Sequence, residues 1–162
     1  MDMEAINENL DLITKLKEIP TLRFFEKKDL SKILCYSKIK NYKPGDCIIE
    51  EGSFDNWVYF LIMGKVKVVK HGEEIIILHR TGDIFGEMSV IDGSARSATV
   101  IAVDDTTCLA TDVSFVDSMN PEDKLTFSAI FYNLLSMVLA ERLRETSEEL
   151  IQLKEKMEAI KK

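Results

Sequence analysis

The residues best suited to do chemistry lie together in one short segment, residues 86–97. This segment places a carboxylate, Glu87, near a guanidinium, Arg96, with Gly86 directly before the carboxylate. A carboxylate accepts hydrogen bonds from sugar hydroxyls, and a guanidinium presents a rigid fork of donors that matches a phosphate. Gly86 lacks a Cβ and lets the backbone approach a ligand. A short helical turn after it would point N–H groups at an anion. The segment therefore predicts a binding site for a sugar phosphate, without evident catalytic machinery.

Short strands are predicted on both sides of this segment. Between residues 39 and 111, runs rich in Val, Ile and aromatic residues alternate with turn signals. All seven glycines lie between residues 45 and 93. Glycine corners that need a positive φ, joined by regular short strands, predict a β-roll or jelly-roll barrel. The predicted runs are 47–49, 57–62, 66–69, 75–78 and 98–101.

Helical patterns flank the strands. An apolar period near 3.6 predicts a first helix that ends at Pro20, and a second helix is predicted over residues 27–37. The sequence thus predicts an α+β fold with an N-terminal helical segment (1–37), a β-roll (38–118) and a long C-terminal helix (119–162). The apolar residues of the first helix are Ile6, Leu10, Ile13, Leu16 and Ile19.

The C-terminal helix has clear start signals and an apolar seam. A short helical turn is predicted over residues 113–116, then Asn120 as N-cap and Pro121 at the first helical position. Neither Gly nor Pro follows, so the helix is expected to run nearly to Lys162. Spacings of four and three predict a parallel homodimeric coiled coil, although packing on the same chain is an alternative. The seam consists of Leu139, Leu143, Thr146, Leu150, Leu153, Met157 and Ile160.

Composition narrows the functional classes. The chain of 162 residues is 46% hydrophobic and 30% charged, which is typical of a folded globular protein. A formal net charge of −7 argues against a general nucleic-acid binder. No signal peptide or membrane span is evident, and Cys35, Cys47 and Cys108 form no disulfide or metal pattern. We therefore expect a cytoplasmic protein with reduced cysteines and no membrane partner.

Two motifs carry a resemblance to a known family. Gly86-Glu87-Met88-Ser89, followed by Ala95-Arg96-Ser97-Ala98-Thr99-Val100, resembles the phosphate-binding cassette of the cyclic-nucleotide-binding domain. The corner glycines also match that family, so the resemblance covers nearly the whole chain. It implies that Glu87 accepts a hydrogen bond from the ribose 2′-hydroxyl and that Arg96 pairs with the exocyclic phosphate oxygens. It also implies that the backbone N–H groups of Ser89 and Ser97, with the Ser97 hydroxyl, complete the phosphate nest. Met88 and Ala98 belong to the same contact set. A simple surface ion pair between Glu87 and Arg96 is the alternative.

The second motif lies in the long helix. Residues 142–148 resemble the family's dimer helix at a Thr-Ser pair that recognises adenine. The resemblance implies that Thr146 and Ser147 bind the adenine 6-amino group, one from each subunit, and that Arg142 faces Glu87. Thr146 could instead set the coiled-coil register.

The implied ligand is cAMP, with cGMP as an alternative. Ser97 offers a hydroxyl where some cAMP binders of the family have alanine, and a threonine there is associated with cGMP. Ala95 stands where many members of the family have proline, so the backbone of the loop before Arg96 is expected to be less rigid than in those members. No helix-turn-helix pattern is present, so we expect no nucleic-acid partner through this chain, and the output partner stays open.

Two other classes can be weighed against this one. A metal enzyme of the cupin type would share the β-roll but needs several histidines with a glutamate, and the chain has only His71 and His79. We therefore expect no enzyme, metal or cofactor. A coiled-coil adaptor with a degenerate roll would have to lack Glu87 or Arg96, and both are present.

Overall fold

The computed structural model describes residues 14, 16–17, 22–23 and 25–161. Most of the predicted first helix lies outside these residues. The elements are helix α1 (Lys27–Cys35), strands β1 (Ser37–Tyr42), β2 (Cys47–Ile49), β3 (Trp57–Met63), β4 (Val66–Lys70), β5 (Glu73–Leu78) and β6 (Ile84–Phe85), helix α2 (Met88–Asp92), strands β7 (Thr99–Ala102) and β8 (Thr106–Asp112), a 3-10 helix (Val113–Ser118) and helix α3 (Pro121–Ile160).

The eight strands form two antiparallel four-stranded sheets. Their orders are β1-β8-β3-β6 and β2-β7-β4-β5. The predicted β-roll is therefore confirmed, but as two facing sheets, because the described strands do not close into one hydrogen-bonded barrel. Strand β3 is buried on both faces, and its Tyr59 and Leu61 contribute to the core between the sheets with Val66, Val100 and Cys108. Each predicted run overlaps a strand, whereas β1, β6 and β8 are additional strands.

The opposite face of the first sheet packs against the helices. Val58 and Phe60 of β3 alternate with the residues that face the roll interior, as the period of a strand requires. They pack with Leu30 of α1 and with Phe127 and Leu135 of α3. Helix α1 ends two residues before its predicted end because β1 begins at Ser37. This apolar layer fixes the first half of α3 against the roll.

The glycine corners are confirmed. All seven glycines have a positive φ, between 68° and 95°. Gly64 also needs its missing side chain, because a Cβ there would lie 2.6 Å from the carbonyl oxygen of Asp105. These corners set the sharp turns that bring residues 86–97 to the mouth of the roll.

Helix α3 begins and ends close to the predicted residues. The Asn120 side chain accepts a hydrogen bond from the Asp123 amide, and Pro121 follows this cap. Beyond Val138 the apolar seam is no longer buried, with Leu153 57% exposed and Ile160 84% exposed. The second half of the seam thus packs on no described part of this chain, and the coiled-coil dimer stays a prediction. No helix among the described residues has the length and hydropathy needed to cross a membrane.

Candidate ligand-binding site

A cavity at the mouth of the roll brings together eight of the ten predicted site residues. Strand β6 leads into the site, Gly86 turns the chain with a φ of 79°, and the short helix α2 follows and ends at Gly93 in the left-handed conformation. The loop after Gly93 returns the chain into β7. The predicted residues that line the cavity are Gly86, Glu87, Met88, Ser89, Arg96, Ser97, Ala98 and Arg142.

The Arg96 guanidinium is buried and surrounded by acceptors. Its main partner is Asp55, whose two carboxylate oxygens accept hydrogen bonds from Nε and Nη2. Nη1 donates to the Gly86 carbonyl at 2.5 Å and to the Ser89 hydroxyl at 2.8 Å. Nη2 also donates to the Trp57 carbonyl at 2.6 Å. These contacts hold the guanidinium plane beside Gly86, where a Cβ would lie only 2.8 Å from Nη1.

Asp55 was not among the sequence-predicted residues. It lies in the loop before β3 and is 41 positions from Arg96 in sequence. It follows Gly52 and Ser53 and precedes Asn56, so its residue type gave no signal that distinguished it from an aspartate of a solvated turn. Burial alone would raise the pKa of the Asp55 carboxyl, but the hydrogen bonds from Arg96 and from the Trp57 amide hold the pKa below its usual range. The carboxylate is therefore ionised and able to fix Arg96.

The predicted contact between Glu87 and Arg142 is present. Arg142 Nη1 lies 2.7 Å from Glu87 Oε1, and Arg142 Nη2 donates to the Ile84 carbonyl. The Glu87 side chain is only 4% exposed and that of Arg142 is 25% exposed, so water screens this pair less than a surface pair. The alternative of a surface ion pair between Glu87 and Arg96 is wrong, because each of these side chains has a different partner. The pair joins the cavity directly to α3.

The remaining predicted residues lie apart from this network. Ser97 Oγ is 3.5 Å from the Met88 sulfur, and both residues line the cavity. Thr146 and Ser147 are exposed on α3 and do not line the cavity in the described part of the chain. Ser147 Oγ donates to the Leu143 carbonyl one turn earlier. A role for Thr146 and Ser147 in reading the base stays a prediction.

The histidines and acidic residues do not form a metal-binding cluster in the described part of the chain. Within residues 25–161 and the few described before them, no group of three or more His, Cys, Asp or Glu could hold a metal ion. His71 lies in the predicted hairpin turn, with a φ of 51°, and its Nε2 is 3.2 Å from Glu51.

Comparison with known proteins decides the family. The model of the cyclic nucleotide-binding domain family matches residues 39–119, which is half of the 162 residues. The chain belongs to this family. It is a cyclic-nucleotide-binding regulatory domain with helices on either side of the roll.

Individual relatives of this cyclic-nucleotide-binding domain include bacterial and kinase proteins. The cyclic AMP receptor protein of Thermus thermophilus is 30% identical over 143 residues, which cover 83% of this chain and 62% of that protein. The cAMP-dependent protein kinase regulatory subunit of Hypocrea atroviridis is 36% identical over 90 residues, 56% of this chain and 19% of that protein. The cGMP-dependent protein kinase of Toxoplasma gondii is 35% identical over 103 residues, 64% of this chain and 10% of that protein. The chain thus spans less than two thirds of the length of each of these relatives.

Solved structures agree with the fold. The catabolite activator protein of Thermus thermophilus has a TM-score of 0.61 at 29% identity, and the match covers 83% of this chain and 63% of that chain. A cyclic nucleotide-binding domain from Methylobacillus flagellatus KT has a TM-score of 0.76 at 21% identity, covering 87% and 83%. The second likeness concerns the fold alone.

Proposed function

We propose that this domain binds cAMP at the mouth of the roll and transmits its presence to helix α3. The observation that carries the proposal is the meeting of Arg96, Glu87 and Arg142 in one cavity of a cyclic-nucleotide-binding domain. Arg96 binds the cyclic phosphate, because a charge-assisted guanidinium–phosphate contact is short and strong. Glu87 accepts a hydrogen bond from the ribose, and the amides of Ser89 and Ser97 complete the anion site.

The size of the cavity limits how the ligand lies in it. The cavity has a volume of about 80 Å³ and is partly open to solvent, and this volume is well below the ~300 Å³ at which pockets for whole small molecules begin. We infer that it holds the phosphate and part of the ribose. The base then extends across the open mouth towards α3, on the side where Arg142 enters the site. Thr146 and Ser147 lie one turn further along α3, and we infer that they contact the base once α3 moves.

Coupling to α3 runs through the Glu87–Arg142 pair. A ligand that changes the hydrogen bonding of Glu87 changes the only described ion pair that joins the cassette to α3. A ligand shifts a conformational equilibrium when it binds one arrangement more tightly than the other. We infer that the two arrangements differ in the position of the second half of α3. Its exposed seam then pairs with that of a second copy to form a homodimer.

A cGMP-binding regulator is the second candidate, and Ser97 favours it. Ser97 lines the cavity, and its hydroxyl contacts the Met88 sulfur. Relatives of both kinds match this chain, since those above include a cAMP-dependent and a cGMP-dependent protein kinase. The choice between the two nucleotides therefore belongs to experiment.

Several wider properties follow from the same proposal. We infer a binding module and not an enzyme, since each charged side chain that lines the cavity is held in an ion pair. The three cysteines are free thiols, which suits a cytoplasmic site of action. The division into a helical segment (1–37), a roll (38–118) and a dimerisation helix (119–162) is part of the proposal. The output partner stays open.

Isothermal titration calorimetry tests the proposal. The wild-type protein is titrated with cAMP, with cGMP, and with linear 5′-AMP as a control that lacks the ring-closed phosphate. We expect saturable binding of cAMP, weaker binding of cGMP and little of 5′-AMP. Absence of heat with both cyclic nucleotides at high micromolar concentration refutes the proposal and favours the coiled-coil adaptor.

Two variants then assign the residues. Arg96→Ala is expected to weaken cAMP binding by about 1.5–3 kcal/mol, the range for a hydrogen bond to a charged group. Replacing Thr146 and Ser147 by Ala is expected to weaken cAMP more than cGMP. An equal effect on both nucleotides removes the base-reading role.

A further inference from the structure

The charged side chains that line the cavity, together with their partners, cancel one another. Arg96 pairs with Asp55, and Arg142 pairs with Glu87. These two cations and two anions of the described residues sum to zero, while the whole chain carries a formal net charge of −7. A cyclic nucleotide is an anion, and an anion that leaves water needs a compensating positive charge. The four side chains alone do not provide that surplus charge.

Lys40 of β1 lies beside this network. Its Nζ is 4.6 Å from the ring centroid of Trp57 and 5.8 Å from that of Tyr59. The backbone of Trp57 contacts both members of the Arg96–Asp55 ion pair. Its carbonyl accepts a hydrogen bond from Arg96, and its amide donates one to Asp55 at 2.9 Å. Lys40 is half-buried, and its ammonium is held against two aromatic faces. Solvent therefore screens its charge less than it screens that of a fully exposed lysine.

Other nearby lysines are less well placed. Lys70 Nζ donates to the Ser97 carbonyl at 2.8 Å, but Lys70 is exposed. Lys38 lies two residues before Lys40, on the same face of β1, and is also exposed. Among these three cations, only Lys40 is both half-buried and adjacent to the residue that holds the Arg96–Asp55 pair.

We propose that Lys40 is a positioning residue for the phosphate, because its positive charge compensates Asp55 when Arg96 turns part of its hydrogen bonding to the anionic ligand. This inference rests on the proposed function. Lys40 and the four paired side chains together carry a charge of +1, which a bound monoanion brings to zero. Without Lys40, Asp55 and the phosphate compete for one guanidinium. Burial has the largest influence on the pKa of Asp55, but the Lys40 charge is among the influences that lower it, together with Arg96.

Calorimetric titration with cAMP, at low salt and at 1 M NaCl, tests the role of Lys40. The proteins compared are the wild type, Lys40→Met, Lys40→Arg and Lys38→Met. We expect Lys40→Met to weaken binding about tenfold at low salt, the order expected for one charge acting through a partly screened medium. Lys40→Arg keeps the charge and stays within about threefold of the wild type, and Lys38→Met stays within about twofold. The loss in Lys40→Met shrinks at 1 M NaCl, where the Debye length is about 3 Å.

A measurement without ligand separates the inference from the proposed function. Titration of the Asp55 carboxyl followed by NMR should show a higher pKa in Lys40→Met than in the wild type, and no change in Lys38→Met. Wild-type affinity in Lys40→Met, equal losses in Lys40→Met and Lys40→Arg, or an unchanged pKa of Asp55 overturns the inference. A wild-type protein that binds neither cyclic nucleotide overturns the proposed function instead.

Discussion

Removing the Arg142 side chain should destabilise the protein far more than removing an exposed arginine from the same interface. Arg142→Met keeps much of the apolar stem but leaves the Glu87 carboxylate without its cation, in a place where that side chain is 4% exposed. It also removes the donor to the Ile84 carbonyl. Breaking a fully buried pair costs about 3–5 kcal/mol, and an exposed pair contributes about 0–1 kcal/mol. Because Arg142 is itself 25% exposed, we expect a loss of about 2–4 kcal/mol, between these limits.

The structure offers a matched control in Arg80. Its guanidinium also reaches from the roll to α3, but it lies 4.0 Å from Glu141 and from Glu145 and is 65% exposed. Arg80→Met should therefore change the free energy of unfolding by less than about 0.5 kcal/mol. The two variants compare a buried, closely hydrogen-bonded cation with an exposed one, since both remove one cation from the same interface between roll and helix.

Urea denaturation followed by circular dichroism measures the effect. Every protein is used at the same concentration, because association through α3 would add to the apparent stability. The double variant Glu87→Gln with Arg142→Met should recover part of the loss, since it no longer leaves a buried charge unpaired. The buried-pair reasoning is wrong if the free energy of unfolding of Arg142→Met lies within about 0.5 kcal/mol of the wild-type value, or is no lower than that of Arg80→Met.

Three further predictions concern the same region and the core. Gly86→Ala should be less stable than Gly45→Ala and should bind cAMP more weakly, because only Gly86→Ala places a Cβ against the Arg96 guanidinium. The left-handed backbone costs about 1–2 kcal/mol in both variants, so equal midpoints of thermal unfolding together with equal affinity for cAMP would contradict the prediction. Cys108 is buried, which also raises the pKa of its thiol to about 12, whereas Cys35 and Cys47 are exposed. Iodoacetamide at pH 8 should therefore label two cysteines of the native protein and reach Cys108 only after unfolding; mass spectrometry that finds three labels on native protein would refute it. Because the pKa of Asp55 is lowered in the folded protein, its contribution to stability is complete above the ordinary aspartate pKa of about 3.9 and is lost as the pH falls through the lower folded value. Asp55→Asn should therefore flatten the acid unfolding profile in this pH range. An unchanged profile would show that the Arg96–Asp55 ion pair does not contribute to stability.

The sequence by itself determined those features that depend on local chemistry. The positive φ of Gly86 and of the other corners follows from glycine's lack of a Cβ, and the cap of α3 follows from Asn120 and Pro121. Runs of branched and aromatic residues marked five strands because such residues favour a pleated, half-buried surface. Glu87 and Arg96 could be assigned to one site from the sequence because both lie within the short segment that resembles the family's cassette.

Tertiary structure alone decided the pairings between distant segments. Strand β8 reads Thr-Thr-Cys-Leu-Ala-Thr-Asp, and its central place between β1 and β3 depends on pairing with segments distant in sequence. Asp55 is an ordinary loop aspartate until the fold brings Arg96, 41 positions away, against it. Long-range contacts of this kind depend on how the sheets and loops pack, and no local residue preference encodes them. Lys40 is likewise distant in sequence from Asp55 and Arg96, and only the packed roll brings its charge beside their ion pair.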